Sequence, residues 1–87
     1  MQENISNDSQ GGFAQSIEAH LEKYFALHNG DVPPGLYEYI LHEVERGMIH
    51  VTLRHTNMNQ TKAAKILGIN RNTLRKKMLM YEIGDDQ

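Results

Sequence analysis

The sequence predicts an all-α domain of four helices: two longer amphipathic ones, followed by two short ones joined by a tight turn. Two observations predict it. Apolar residues recur at three- and four-residue spacing, which places them on one face of a helix. Residues that end or cap helices, namely Asn29-Gly30, Pro33-Pro34-Gly35, Asn59, Gly68 and Asn70, punctuate these stretches.

Residues 1–12 are rich in Asn, Ser, Gln and Gly and hold one isolated aliphatic side chain, Ile5. Such a segment cannot bury enough apolar area to offset its ordering entropy, so residues 1–15 are expected to be a disordered leader or linker, with the folded domain spanning 16–87. Ile17, Leu21, Tyr24 and Phe25 then share one helical face, with Ser16 able to cap the start and Asn29-Gly30 the end. Asp31-Val32-Pro33-Pro34-Gly35 is a turn, because two prolines fix the backbone and remove its donors.

A long helix is expected from residue 36 to about 56, carrying Tyr37, Ile40, Leu41, Val44, Met48 and Val51 as a stripe. Ile49 and Leu53 open a second apolar face, so this helix has more than one partner, and one of them can be a second copy of the chain. Gly47 costs about 1 kcal/mol relative to alanine in mid-helix without ending it. Asn59 suits the N-cap of a short helix over 60–67, which Gly68 ends. After apolar Ile69, Asn70 can cap a last helix from 71 to about 80, with Leu74, Met78 and Tyr81 inward.

At 87 residues the chain makes one small domain with a thin core, leaving roughly 40% of its unfolded surface in water. It has no cysteine, so disulfides cannot supplement that core and self-association is a natural route. The absence of cysteine fits a reducing cytoplasm. No apolar run approaches the roughly 20 residues of a membrane span, so no membrane association is expected.

The formal net charge of −2 hides an uneven distribution. Residues 1–56 carry three basic and eight acidic side chains, whereas residues 57–81 carry six basic ones (Lys62, Lys65, Arg71, Arg75, Lys76, Lys77) and no acid. Residues 82–87 add Glu82, Asp85 and Asp86. The local sum is what a phosphate backbone feels, and over 57–81 it is strongly positive.

Two short helices around a glycine turn, with the basic residues gathered on the second, have the form of a helix-turn-helix. Ala64 is small where the helices cross, Gly68 can take the positive φ of the turn, and Ala63, Leu67, Ile69 and Leu74 fill the crevice. Asn70, Arg71, Asn72, Thr73, Arg75, Lys76 and Lys77 remain at the start and outer face of the second helix, with Asn59, Thr61 and Lys62 at the start of the first. Arginine can bridge guanine O6 and N7, asparagine can do the same for adenine, and threonine reaches phosphates or a thymine methyl. Helix N-terminal amides near Thr61 and Asn72 are expected to add anion-binding groups.

The run Ile69-Asn70-Arg71-Asn72-Thr73-Leu74-Arg75-Lys76-Lys77, preceded by Asn59-Gln60-Thr61-Lys62-Ala63-Ala64, resembles the Fis-type DNA-binding domain. The resemblance extends upstream through Leu36 to Glu45 and Glu22-Lys23-Tyr24-Phe25, covering about residues 16–83. Within that family, Pro33-Pro34-Gly35-Leu36-Tyr37 is most similar to the C-terminal domain of NtrC-type nitrogen regulators. The resemblance implies two dimerisation helices followed by a C-terminal helix-turn-helix, in an intertwined homodimer that presents two recognition helices to double-stranded DNA. Those helices lie closer than one DNA turn, so the duplex must bend, which gives a weak, shape-based sequence preference.

Carried over by position, the resemblance places DNA contacts on Asn59, Thr61, Asn70, Arg71, Thr73, Arg75 and Lys76. The dimer interface is expected on Ile17, Leu21, Tyr24, Phe25, Tyr37, Ile40, Leu41, Val44, Met48 and Val51. The chain departs from Fis proper at Asn57, Leu79 and Met80, where Fis has basic residues, which implies fewer flanking phosphate contacts. Gly47 stands where relatives commonly carry proline. Residues 1–12 show no counterpart of the arms by which Fis stimulates recombination, so that activity is not expected.

Two contexts fit: the C-terminal domain of an enhancer-binding activator, with RNA polymerase carrying an alternative sigma factor as a further partner, or a free-standing, nucleoid-associated cytoplasmic protein. The rival reading is a helical dimerisation module with vestigial DNA binding. An enzyme is not expected, nor is a metal or other cofactor. There is no cysteine, and the five histidines form neither an HxxxH nor an HxxH pair. Glu38, His42 and Glu45 share a helical face, which surface ion pairing accounts for.

Overall fold

A computed structural model describes residues 12–84, which form four α-helices: α1 (Phe13–Leu27), α2 (Leu36–His55), α3 (Gln60–Leu67) and α4 (Arg71–Tyr81). The expected leader up to residue 11, and the tail acids Asp85 and Asp86, lie outside the described residues. The chain divides into two compact units, Met1–Leu36 and Tyr37–Gln87.

In the first unit, α1 begins at Phe13, three residues before the expected start, so residues 13–15 are helix rather than leader. Ser16 is not its cap. Gly12 occupies the N-cap without a side-chain hydrogen bond, and the Ser16 amide already donates to the Gly12 carbonyl at 3.0 Å. The apolar spacing in fact starts at Phe13, four residues before Ile17, and periodicity carries the helix back past Ser16. The far end closes as expected. The Asn29 amide donates to the Ala26 carbonyl at 3.0 Å and the Gly30 amide to that of Phe25 at 2.8 Å, with positive φ at both residues. His28 helps: Nδ1 lies 2.9 Å from the Tyr24 carbonyl, and its ring is 4.5 Å from the Tyr24 ring.

In the second unit, α2 runs unbroken through Gly47, where an added Cβ would meet nothing within 4 Å. Its Ile49 and Leu53 face inward and pack with Ala63 and Ala64 of α3 and with Leu74 and Met78 of α4. Leu67, Ile69, Tyr81 and Ile83 close the edges of this core. Burying each large member, Ile49, Leu53 or Leu74, contributes roughly 1.5–3 kcal/mol. The alanines bring no bulk, which lets α3 approach the other two helices closely.

Thr56 is the buried polar residue at the corner between α2 and α3. Its Oγ1 donates to the α2 carbonyls of Thr52 (3.0 Å) and Leu53 (3.2 Å) and lies 3.4 Å from the Asn59 carbonyl. Asn57 and Met58 turn the chain with left-handed φ of 54° and 65°, a conformation that costs on the order of 1 kcal/mol for each non-glycine residue. The Met58 amide then reaches back to the Leu53 carbonyl at 2.8 Å. These bonds fix the angle at which the helix-turn-helix leaves α2.

Candidate nucleic-acid interface

Each helix of the α3–α4 pair starts on an asparagine cap. The Asn59 Oδ1 accepts from the Lys62 amide at 3.0 Å, and the Asn70 Oδ1 accepts from the Asn72 amide at 2.7 Å. Both cap residues have extended backbone, which turns the chain into the helix. At each helix start one of the amides expected near Thr61 and Asn72, that of Lys62 and that of Asn72, is thus taken by the cap. Between the helices Gly68 takes a φ of +77°.

On this frame Asn70, Arg71, Asn72, Arg75 and Lys76 are all exposed along the start and outer side of α4. Thr73 is half-buried. Asn59, Thr61 and Lys62 are exposed at the start of α3, as is Lys65 one turn on. No acidic residue stands in the first turn of either helix. Leu79 and Met80 are exposed in the last turn of α4, so its basic face ends in apolar side chains.

Lys77 departs from the expected set. It is half-buried, and its Nζ lies 2.9 Å from the Glu45 Oε2 of α2. The other oxygen of the same carboxylate, Oε1, accepts the Tyr81 hydroxyl, and the Tyr81 ring meets His42 edge-on with centroids 6.0 Å apart. The hydrogen bond from Tyr81, with Lys77 acting in the same sense, holds the Glu45 carboxyl below its ordinary range against the opposing effect of burial. Burial, reinforced by the hydrogen bond and negative charge of Glu45, pushes the Tyr81 phenol up to about 12.

Glu45 is thus tied to α4, while along α2 His42 lies 3.9 Å from Glu38 and adds to the lowering of the Glu45 carboxyl. Spacing carried a signal for this contact. Lys77 falls within the inward series Leu74, Lys77, Met78, Tyr81, and Glu45 heads the series Glu45, Ile49, Leu53, Thr56.

Of the residues expected at a dimer interface, Phe25, Tyr37, Leu41, Met48 and Val51 are exposed, and Ile17, Leu21, Tyr24, Ile40 and Val44 are half-buried. Tyr37, at 76% exposure, leaves most of an aromatic side chain in solvent. Among the described residues no group of three His, Asp or Glu side chains converges as a metal site, and no helix is long and apolar enough to cross a membrane.

Residues 40–81 match the family model of bacterial regulatory proteins of the Fis family. The chain is 52% identical over 73 residues to a DNA-binding transcriptional regulator NtrC from Azospirillum brasilense, an alignment covering 83% of this chain and 15% of that protein. It is 45% identical over 69 residues to the DNA-binding protein Fis of Mannheimia haemolytica, covering 79% of this chain and 70% of that one. A putative Fis-like DNA-binding protein of Neisseria meningitidis is 43% identical over 68 residues, with 78% of this chain and 86% of the relative aligned. The chain therefore spans a small part of the NtrC relative and most of the Fis-type ones. Its helix-turn-helix and its match to these proteins agree: the chain belongs to the Fis family of bacterial regulatory proteins.

Proposed function

We propose that the chain binds double-stranded DNA as a homodimer and regulates transcription, each copy inserting α4 into the major groove of a bent duplex. The observation that carries this reading is the exposed run Asn70, Arg71, Asn72, Arg75 and Lys76, held on a helix whose other side is anchored by Leu74 and Met78. Base-reading and phosphate-binding side chains then share one rigid element. Asn59, Thr61, Lys62 and Thr73 add contacts at the flanks. Three relatives whose names describe DNA-binding proteins support the same reading.

The dimer rests on the apolar side chains that α2 leaves in solvent, Tyr37, Leu41, Met48 and Val51, joined by Ile40 and Val44 and by Ile17, Leu21, Tyr24 and Phe25 of α1. Such a pair works in the cytoplasm, at the nucleoid, without catalysis or cofactor. Where the chain forms the end of an NtrC-type activator, RNA polymerase with an alternative sigma factor is the further partner.

Gel-shift titrations across salt concentrations test the reading. With six or more phosphate contacts, affinity falls on the order of 10³-fold or more between about 50 and 200 mM salt. Absence of binding at every salt concentration would leave only a dimerisation module, and sedimentation showing only monomer at micromolar concentration would remove the dimer.

A further inference from the structure

Glu45 stands apart from the recognition surface in sequence and on a different helix, yet it holds two side chains of α4. Resting on the DNA-binding reading above, we infer that Glu45 is a positioning residue that withholds Lys77 from the phosphate backbone and thereby limits sequence-independent affinity for DNA.

Lys77 lies one turn beyond Thr73 on the same side of α4. A lysine there has a flexible four-carbon stem and can extend outward from the flank of the helix toward a backbone phosphate. In this structure it is turned back, with its ammonium 2.9 Å from a carboxylate and both side chains less than a third exposed. Partial burial makes the pair more resistant to salt and competing anions than a surface pair. The second oxygen of Glu45 is fixed by the Tyr81 hydroxyl, so the carboxylate cannot follow Lys77 if that side chain swings outward. Tyr81 is in turn packed against the core and edge-on to His42. Glu45, Lys77, Tyr81 and His42 all belong to the second compact unit.

The consequence is electrostatic. Residues 57–81 hold six basic side chains by sequence, but one of them is neutralised from α2. Phosphate contacts raise affinity for every sequence alike, whereas base contacts discriminate. Holding back one phosphate-binding lysine lowers the sequence-independent share of binding and leaves the base-reading part of α4 untouched.

The test compares the full chain with Glu45→Gln and with the double variant Glu45→Gln/Lys77→Met, titrating a fluorescent random-sequence duplex over a salt series. Glutamine keeps an acceptor for Tyr81 and removes the charge that holds Lys77. The expected result is a plot of log affinity against log salt that is steeper by about 0.9 per recognition helix in Glu45→Gln, corresponding to one added phosphate contact. The double variant returns to the parental slope. A general effect of deleting a negative charge would persist in the double variant, so a slope that stays steep there overturns the inference, as does an unchanged slope in a folded Glu45→Gln.

If circular dichroism shows Glu45→Gln unfolded, side-chain NMR of Lys77 in the parent decides instead. Signals that keep their carboxylate-paired shifts when duplex is added support the inference, and signals that move to a phosphate-paired state overturn it. A parent that binds no DNA at any salt concentration overturns both this inference and the DNA-binding reading. A parent that binds, with Glu45→Gln unchanged, overturns this inference alone.

Discussion

The Gly68 amide donates to the Ala64 carbonyl at 2.8 Å, and the next amide, that of Ile69, shares the same acceptor at 3.0 Å. The pair of bonds closes the end of α3 on a residue buried in the core, and it requires the left-handed φ of +77° at Gly68. A Cβ added at Gly68 would meet no atom within 4 Å, so substitution there is opposed by backbone conformation alone. Gly68→Ala should therefore destabilise the domain by about 1–2 kcal/mol, and Gly68→Asn by less, because asparagine tolerates this region. Urea unfolding at one fixed protein concentration checks the order, and equal stability for all three would mean that the turn does not need its glycine.

Thr56 anchors the other side of the helix-turn-helix through its hydroxyl. Thr56→Val keeps the β-branched shape and removes only that donor, while the carbonyls of Thr52 and Leu53 keep backbone partners in the amides of Thr56 and Met58. The expected loss is about 1 kcal/mol, the net worth of an ordinary hydrogen bond. A loss several times larger in thermal or urea unfolding would show that the valine also disturbs the corner at Asn57 and Met58.

Both ends of α3 and the start of α4 were legible because capping is local: Asn59, Gly68 and Asn70 act within four residues of where they stand. The start of α1 was not, since a plausible cap at Ser16 competed with an apolar spacing that reaches back to Phe13, and the spacing prevailed. The fate of Lys77 depended on a carboxylate far away in sequence, in the cluster whose Tyr81 and Glu45 are 36 positions apart. No local rule pairs such residues. Only the inward spacing of Lys77 with Leu74 and Met78 hinted that its charge would not join that of Arg75 and Lys76 on the exposed side.

The same cluster predicts how stability responds to pH. The Glu45 carboxyl is held below its ordinary value of 4.5 in the folded chain, so its contribution is present above that value and is lost as pH falls through the folded one. Tyr81 acts at the other extreme. Its phenol is raised from 10.0 to about 12, which favours the protonated form, so this contribution is intact below pH 10.0 and is lost between there and about 12. The phenolate absorbance of the parent minus that of Tyr81→Phe isolates this group from the other three tyrosines, and its midpoint should lie near 12. Glu45→Gln should lower that midpoint, and a parental midpoint at 10.0 would mean that Tyr81 ionises without feeling either its burial or Glu45.

Arg71 separates stability from binding. It is the first residue of α4, exposed, with no acidic side chain in the turn to offset its charge. A cation at a helix N-terminus opposes the helix dipole, a cost of roughly 0.3–1 kcal/mol at low salt. Arg71→Ala should therefore leave the free domain as stable or slightly more so, while removing a side chain able to bridge a guanine edge or hold a phosphate. Affinity for a specific duplex should fall at least about tenfold. Arg75→Ala, placed one turn further from the helix end, should weaken binding to a similar extent without the gain in stability. Lys65→Ala, exposed on α3, supplies the effect of losing one positive charge away from α4. Gel shifts and urea unfolding on the three variants decide: if Arg71→Ala and Arg75→Ala bind no worse than Lys65→Ala, α4 is not the recognition helix.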